Sequence, residues 1–172
     1  MTTNTSPPSP PSRSSSSSSS PSSSPSPFSS SSAADPFPDG RLTLTSPADI
    51  LAAIPYLVGF HPTGSLVVIG LTRGQATMVV RWGLPIPPGA LAPLPPLFAR
   101  EGVTQVVIVG YGTGAAVTPA VDEARLLAAR AGVRVAEALR ADEGRYWSYV
   151  CDLPACCPPE GTRHDPTASR VA

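Results

Sequence analysis

Three cysteines within seven residues, Cys151, Cys156 and Cys157, form the densest group of reactive side chains in this 172-residue sequence, and they are its only cysteines. With His164 they supply four ligands of the kind that hold a zinc ion: Cys151, Cys156, Cys157 and His164. Against a zinc site, the short C-x2-C pair is absent, and Pro154, Pro158 and Pro159 stiffen the segment into turns. The competing expectation is thiols packed as small hydrophobes. A nucleophilic thiol needs a base, and the only imidazoles are His61 and His164, neither of which the sequence places beside a cysteine. An odd number of cysteines cannot all pair internally, so no disulfide framework is expected.

A second group of residues suits binding rather than bond breaking. Gly110-Tyr111-Gly112-Thr113-Gly114 follows an apolar run and precedes a helical pattern, the position where open α/β sheets hold dinucleotides and phosphates. The spacing is G-x-G-x-G rather than G-x-G-x-x-G, and the chain has no lysine to complete a phosphate loop. His61 lies in the turn-rich loop Gly59-Phe60-His61-Pro62, and Arg145 and Trp147 offer a guanidinium and a ring to a planar ligand. The ligand-facing candidates are therefore His61, Tyr111, Gly112, Arg145 and Trp147. Each also has a plain structural role open to it: turn glycines, a loop histidine, an aromatic strand in the core.

These residues must be positioned by regular elements. Ser46-Pro47-Ala48-Asp49 has the composition of a helix start, with Ser46 as N-cap, Pro47 at the first helical position and an acid in the first turn. Ile50, Leu51, Ile54 and Leu57 keep helical spacing, Pro55 is expected to kink the helix and Gly59 to end it. A short strand is expected at 41–45. Residues 66–71 and 76–82 read as an antiparallel hairpin around Arg73-Gly74, and the prolines from Pro85 to Pro96 predict an irregular or short helical connection. The apolar run at 103–110 predicts a strand buried on both faces. A helix is expected from Thr118-Pro119 to Gly132, then strands at 133–140 and 145–150. The strand, helix, strand order implies a crossover with parallel pairing. The expected fold is α/β: a mixed, mostly parallel sheet with flanking helices and a β-hairpin.

Composition bounds the rest. Residues 1–39 are dominated by Ser and Pro, with an unbroken serine run from Ser14 to Ser20, and are too poor in apolar groups to repay chain entropy. A disordered tail over 1–39 and a single α/β domain over 40–172 are expected. Twelve basic residues, all arginine, balance twelve acids without clustering, which gives no electrostatic footprint for nucleic acid or an anionic membrane. Neither a signal-like apolar stretch near Met1 nor a run of membrane-spanning length is present, so a cytoplasmic protein is expected. The Lys-free, Ala-, Pro- and Arg-rich composition suits a GC-rich bacterial genome.

Several separated motifs occur together in order. The stretch from Ser46-Pro47-Ala48-Asp49 through Val58-Gly59-Phe60-His61-Pro62, then Ser65-Leu66-Val67-Val68 and Val109-Gly110-Tyr111-Gly112, resembles the actinobacterial domain of unknown function 4192. So do Arg145-Tyr146-Trp147-Ser148-Tyr149-Val150-Cys151 and Cys156-Cys157-Pro158-Pro159-Glu160-Gly161-Thr162. The resemblance spans about residues 41–165. It implies an actinobacterial, cytoplasmic origin but no activity and no assigned site residues. Relatives continue into a further, mostly helical portion, so a C-terminally truncated member is expected. The function expected on these grounds is a noncatalytic binding or interaction module. Its conspicuous surface would be the His61 loop, the Gly110 to Gly114 loop and the segment from Arg145 to Gly161. The alternatives are a small-molecule-binding α/β enzyme with its site at the strand ends and a domain stabilised by zinc on the cysteine cluster.

Overall fold

The computed structural model describes residues 46–165, so the expected tail and the strand expected at 41–45 lie outside the described residues. Helix α1 spans Pro47–Val58, and the Oγ of Ser46 accepts a hydrogen bond from the Asp49 N–H, as its cap composition predicts. The helix runs through Pro55 and stops at Gly59, which takes the left-handed conformation at φ 83°. Strands β1 (Ser65–Thr72) and β2 (Gln75–Gly83) form the expected hairpin. Its turn places both Arg73 (φ 53°) and Gly74 (φ 78°) at positive φ, the geometry whose twist matches a tight hairpin. Helix α2 is the short Leu94–Glu101, with two prolines near its start, where a missing N–H costs nothing.

Strand β3 (Gln105–Tyr111) leads through helix α3 (Gly114–Arg130) to β4 (Arg134–Asp142). Strands β5 (Arg145–Ser148) and β6 (Thr162–Arg163) complete a six-stranded sheet in the order β2-β1-β3-β4-β5-β6. The sheet is mixed, as expected, but it is not mostly parallel: among the described residues β3–β4 is the one parallel pair and the other four pairs are antiparallel. Two of those four follow from tight hairpins, β1–β2 and β4–β5, which can only reverse the chain. The connection through α2 also returns β3 antiparallel to β1, a direction that the apolar pattern of the two strands does not encode.

Burial divides the core by strand alternation. Leu66, Val68, Val106 and Ile108 point to the face covered by α2 and α3, where Phe98, Val117, Val121 and Ala124 meet them. Val67, Ile69, Val107 and Val109 point to the opposite face, covered by Ile50, Leu51 and Ile54 of α1. The result is three layers, helix, sheet and helices.

Helix α3 starts at Gly114, earlier than the expected Thr118-Pro119, and Pro119 sits inside it. Packing explains the difference. Starting early places Val117, which is fully buried, directly over Gly110 of β3. A Cβ at Gly110 would collide with Cγ1 of Val117, so only glycine allows this close approach of helix to sheet. Gly110→Ala is therefore expected to lower stability by about 1–3 kcal/mol, read as a reduced urea midpoint at unchanged m. Gly83→Ala, where a Cβ meets nothing within 4 Å, is expected to stay within about 0.5 kcal/mol of the parent.

Candidate functional site

The early start of α3 leaves only Gly112 and Thr113 between β3 and the helix, so the expected five-residue glycine loop is a tight corner at the end of the sheet. Three other segments converge on that corner. The loop after α1 brings His61 and Pro62, the β4–β5 turn brings residues 141–145, and the chain leaving β6 brings His164. With Leu51 and Pro55 from α1, they enclose a cavity of about 300 Å³ that Tyr111 and Gly112 also line. It lies at the carboxyl ends of the parallel pair β3–β4, where ligands enter open α/β sheets. The turn that forms one wall holds Glu143 at φ 46° and Gly144 at φ 71°, the same tight geometry as the β1–β2 turn.

The lining combines apolar surface from Leu51, Pro55 and Ala141 with the charged residues Asp142, Glu143 and Arg145. Tyr111 follows Val107 and Val109 on the α1 face, and its buried hydroxyl has no hydrogen-bond partner among the described residues. Burial pushes the phenol far above its ordinary range, so it stays protonated as a donor. Its cross-strand neighbour Ser65, fully buried, likewise carries an unpartnered hydroxyl. His164 packs edge-on to the Tyr146 ring, with centroids 6.3 Å apart. Burial lowers its affinity for a proton, a loss that the Asp165 carboxylate partly offsets. His61 is exposed at the rim.

Of the five ligand-facing candidates, His61, Tyr111 and Gly112 meet at this cavity. Arg145 borders it, but strand alternation puts its side chain on the opposite face with Trp147. There the Arg145 Nη1 donates to the carbonyls of Glu160 and Gly161 at 3.2 and 3.0 Å. Trp147 donates its indole N–H to the Pro159 carbonyl at 2.9 Å, and the Arg140 guanidinium stacks 3.6 Å from the centre of its ring. A Cβ on Gly161 would press into the Trp147 ring. The Arg-Tyr-Trp and Pro-Pro-Glu-Gly blocks are thus two halves of one structural clamp, with the Trp147 ring held between Arg140 and Gly161. Arg140 also faces Asp142 at 3.6 Å.

The expected four-ligand metal set also divides. Cys151, Cys156 and Cys157 bring their sulfurs within 4.8 Å of one another, while His164 lines the cavity on the other face. Alternation again decides this, because His164 extends β6 on the side of Tyr146. Cys151 and Cys157 are joined by a disulfide and Cys156 remains a thiol. What sequence reasoning missed was His164 as a cavity residue. Its only signal was its place two residues beyond Thr162, across the strand from Tyr146.

Fold and cavity together define a small three-layer α/β domain with a pocket at the ends of its parallel strands. Residues 47–172 match the family described as Domain of unknown function (DUF4192), and the chain belongs to that family. No curated protein and no solved structure matches it. Among the described residues, no helix is long and apolar enough to cross a membrane.

Two predictions follow from the buried polar groups. Removing an unpartnered hydroxyl while keeping the ring relieves a desolvation cost, so Tyr111→Phe is expected to raise stability by about 1 kcal/mol, measured by urea denaturation. A histidine whose folded form resists protonation binds protons better when unfolded, so it contributes stability above 6.5 that is lost as pH falls below that value. The urea midpoint is expected to fall on acidification. His164→Gln is expected to reduce the fall, although His61, Asp142 and Glu143 share the cavity wall.

Proposed function

We propose that the domain binds a small, uncharged and largely apolar molecule in the strand-end cavity and performs no covalent chemistry there. The observation that carries this reading is the convergence of His61, Tyr111 and His164, far apart in sequence, on one cavity walled by Leu51, Pro55 and Ala141. A volume near 300 Å³ lies at the lower end of what small-molecule sites occupy. A protonated phenol and a neutral imidazole suit hydrogen-bonding groups such as amides or ring nitrogens. They do not suit a carboxylate, because Asp142 and Glu143 stand on the cavity wall and the bordering Arg145 guanidinium is engaged by the carbonyls of Glu160 and Gly161. Binding is preferred over catalysis because, among the described residues, neither imidazole hydrogen-bonds to a hydroxyl or thiol that it could activate. The Lys-free, Ala-, Pro- and Arg-rich composition supports a source with a GC-rich genome.

Amide chemical shifts of isotope-labelled protein titrated with benzamide, nicotinamide and benzoate test the reading. The two neutral amides are expected to shift the signals of Gly112, Gly144 and His164 with saturation, and benzoate to shift them least. His61→Ala, an exposed substitution that leaves the core intact, is expected to weaken amide binding by about tenfold, the worth of one hydrogen bond with its packing. Absence of saturable shifts with either amide, or tighter binding of benzoate, contradicts it.

A further inference from the structure

We infer that Cys151, Cys156 and Cys157 form a thiol–disulfide exchange site in which Cys156 is the attacking thiol and low-molecular-weight thiols and disulfides are the reactants. Three observations carry this. Cys151 and Cys157 are bonded, and the Cys156 sulfur lies 3.0 Å from that of Cys151, already beside the sulfur it would attack. Cys156 is exposed while its two partners are half-buried, so the thiol that meets a reactant is the one left unbonded. A second cavity of about 210 Å³ is lined by Cys151 and Cys157 themselves, with Trp147, Pro158 and Pro159 beside the polar Ser148 and Thr162, a mixed surface for the body of a small thiol.

The same geometry argues against a closed metal centre. The group of described residues able to hold an ion contains the three sulfurs alone, without the fourth ligand that a structural zinc site takes, and His164 is committed to the other face. The turn that gathers the sulfurs is held by its own backbone, since the N–H groups of Cys156 and Cys157 both donate to the Leu153 carbonyl at 3.1 and 2.8 Å. Its far end is anchored by the Trp147 bond to Pro159. This scaffold keeps the three sulfurs together without a metal.

The internal step balances without an outside oxidant. Cys156 gives its proton to solvent, and its thiolate attacks the Cys151 sulfur. The Cys151–Cys156 bond forms as the Cys151–Cys157 bond breaks, and Cys157 leaves as a thiolate that takes up a proton. With external reactants, the reduced site gives two electrons and two protons to a small disulfide. One internal disulfide forms and two small thiols are released; the reverse direction consumes two thiols and releases their disulfide.

Trypsin cleavage after Arg145 and Arg163 places all three cysteines on one peptide, which makes the test direct. The full chain, purified without reductant, is alkylated in its native state with iodoacetamide at mildly alkaline pH, and the label is located by fragmentation. One label per chain is expected, divided between Cys156 and Cys157 because the disulfide migrates. In a second measurement that needs no variant, fully reduced protein is mixed with oxidised glutathione, and release of two glutathione thiols per chain is expected. Cys156→Ser, at an exposed position, is expected to lose all native label and to slow that release. Label confined to Cys156 overturns the inference, as does failure to release glutathione. One equivalent of bound zinc with three thiols that become reactive only after chelation also overturns it and makes the cluster a metal site.

Discussion

Strands β1 and β3 are apolar on both faces, and that constraint organises the molecule. Neither can be stable in a sheet with one face in water, so the chain must supply helices to both sides. It does so with α1 on one face and α2 and α3 on the other. Pairing the two strands with each other puts the most apolar segments at the centre, and the more polar β2, β4, β5 and β6 take the flanks. Each fully buried Leu or Ile on these strands contributes about 1.5–3 kcal/mol, enough that their register leaves little freedom to the rest.

The cavity is a consequence of the same arrangement. Helix α1 stops at Gly59, and the loop that follows brings His61 and Pro62 to the cavity beside Leu51 and Pro55 of the helix. At the end of β3 Tyr111 carries the alternation of Val107 and Val109 one step further, so its ring continues the core while its hydroxyl has no partner among the described residues. A buried donor in that condition costs stability. On the binding role proposed above, a ligand would supply the missing acceptor and offset that cost. The clamp of Trp147, Arg140 and Gly161 acts on the other face and holds the β4–β5 hairpin whose turn walls the cavity.

Local chemistry was legible wherever it was decided locally. The Ser46 cap, the Gly59 stop, the Arg73-Gly74 hairpin and the buried strand at β3 are all set by residues within a few positions of one another. What depends on contacts distant in sequence was not. The start of α3 hinges on Val117 meeting Gly110, and the direction of β3 relative to β1 on how the α2 connection returns. In the site, His61, Tyr111 and Gly112 could be named as candidates because their loop positions were visible. The faces taken by Arg145, Trp147 and His164 were not legible, because alternation acts only once the register of β4, β5 and β6 is known. No disulfide framework is expected from three cysteines, but the turn around Leu153, which exists only once the chain has folded, brings Cys151 and Cys157 into bonding distance.

The central claim is that Tyr111 closes the floor of the strand-end cavity as a protonated, buried donor. Spectrophotometric titration in the phenolate band, taken as the difference between the parent and Tyr111→Phe with circular dichroism confirming the fold at each point, measures that phenol alone. No Tyr111 ionisation is expected near the ordinary phenol value of 10.0 while the protein stays folded. A clear one-proton step at that value in folded protein contradicts the claim, because it would mean that water reaches the hydroxyl and the floor of the cavity is open.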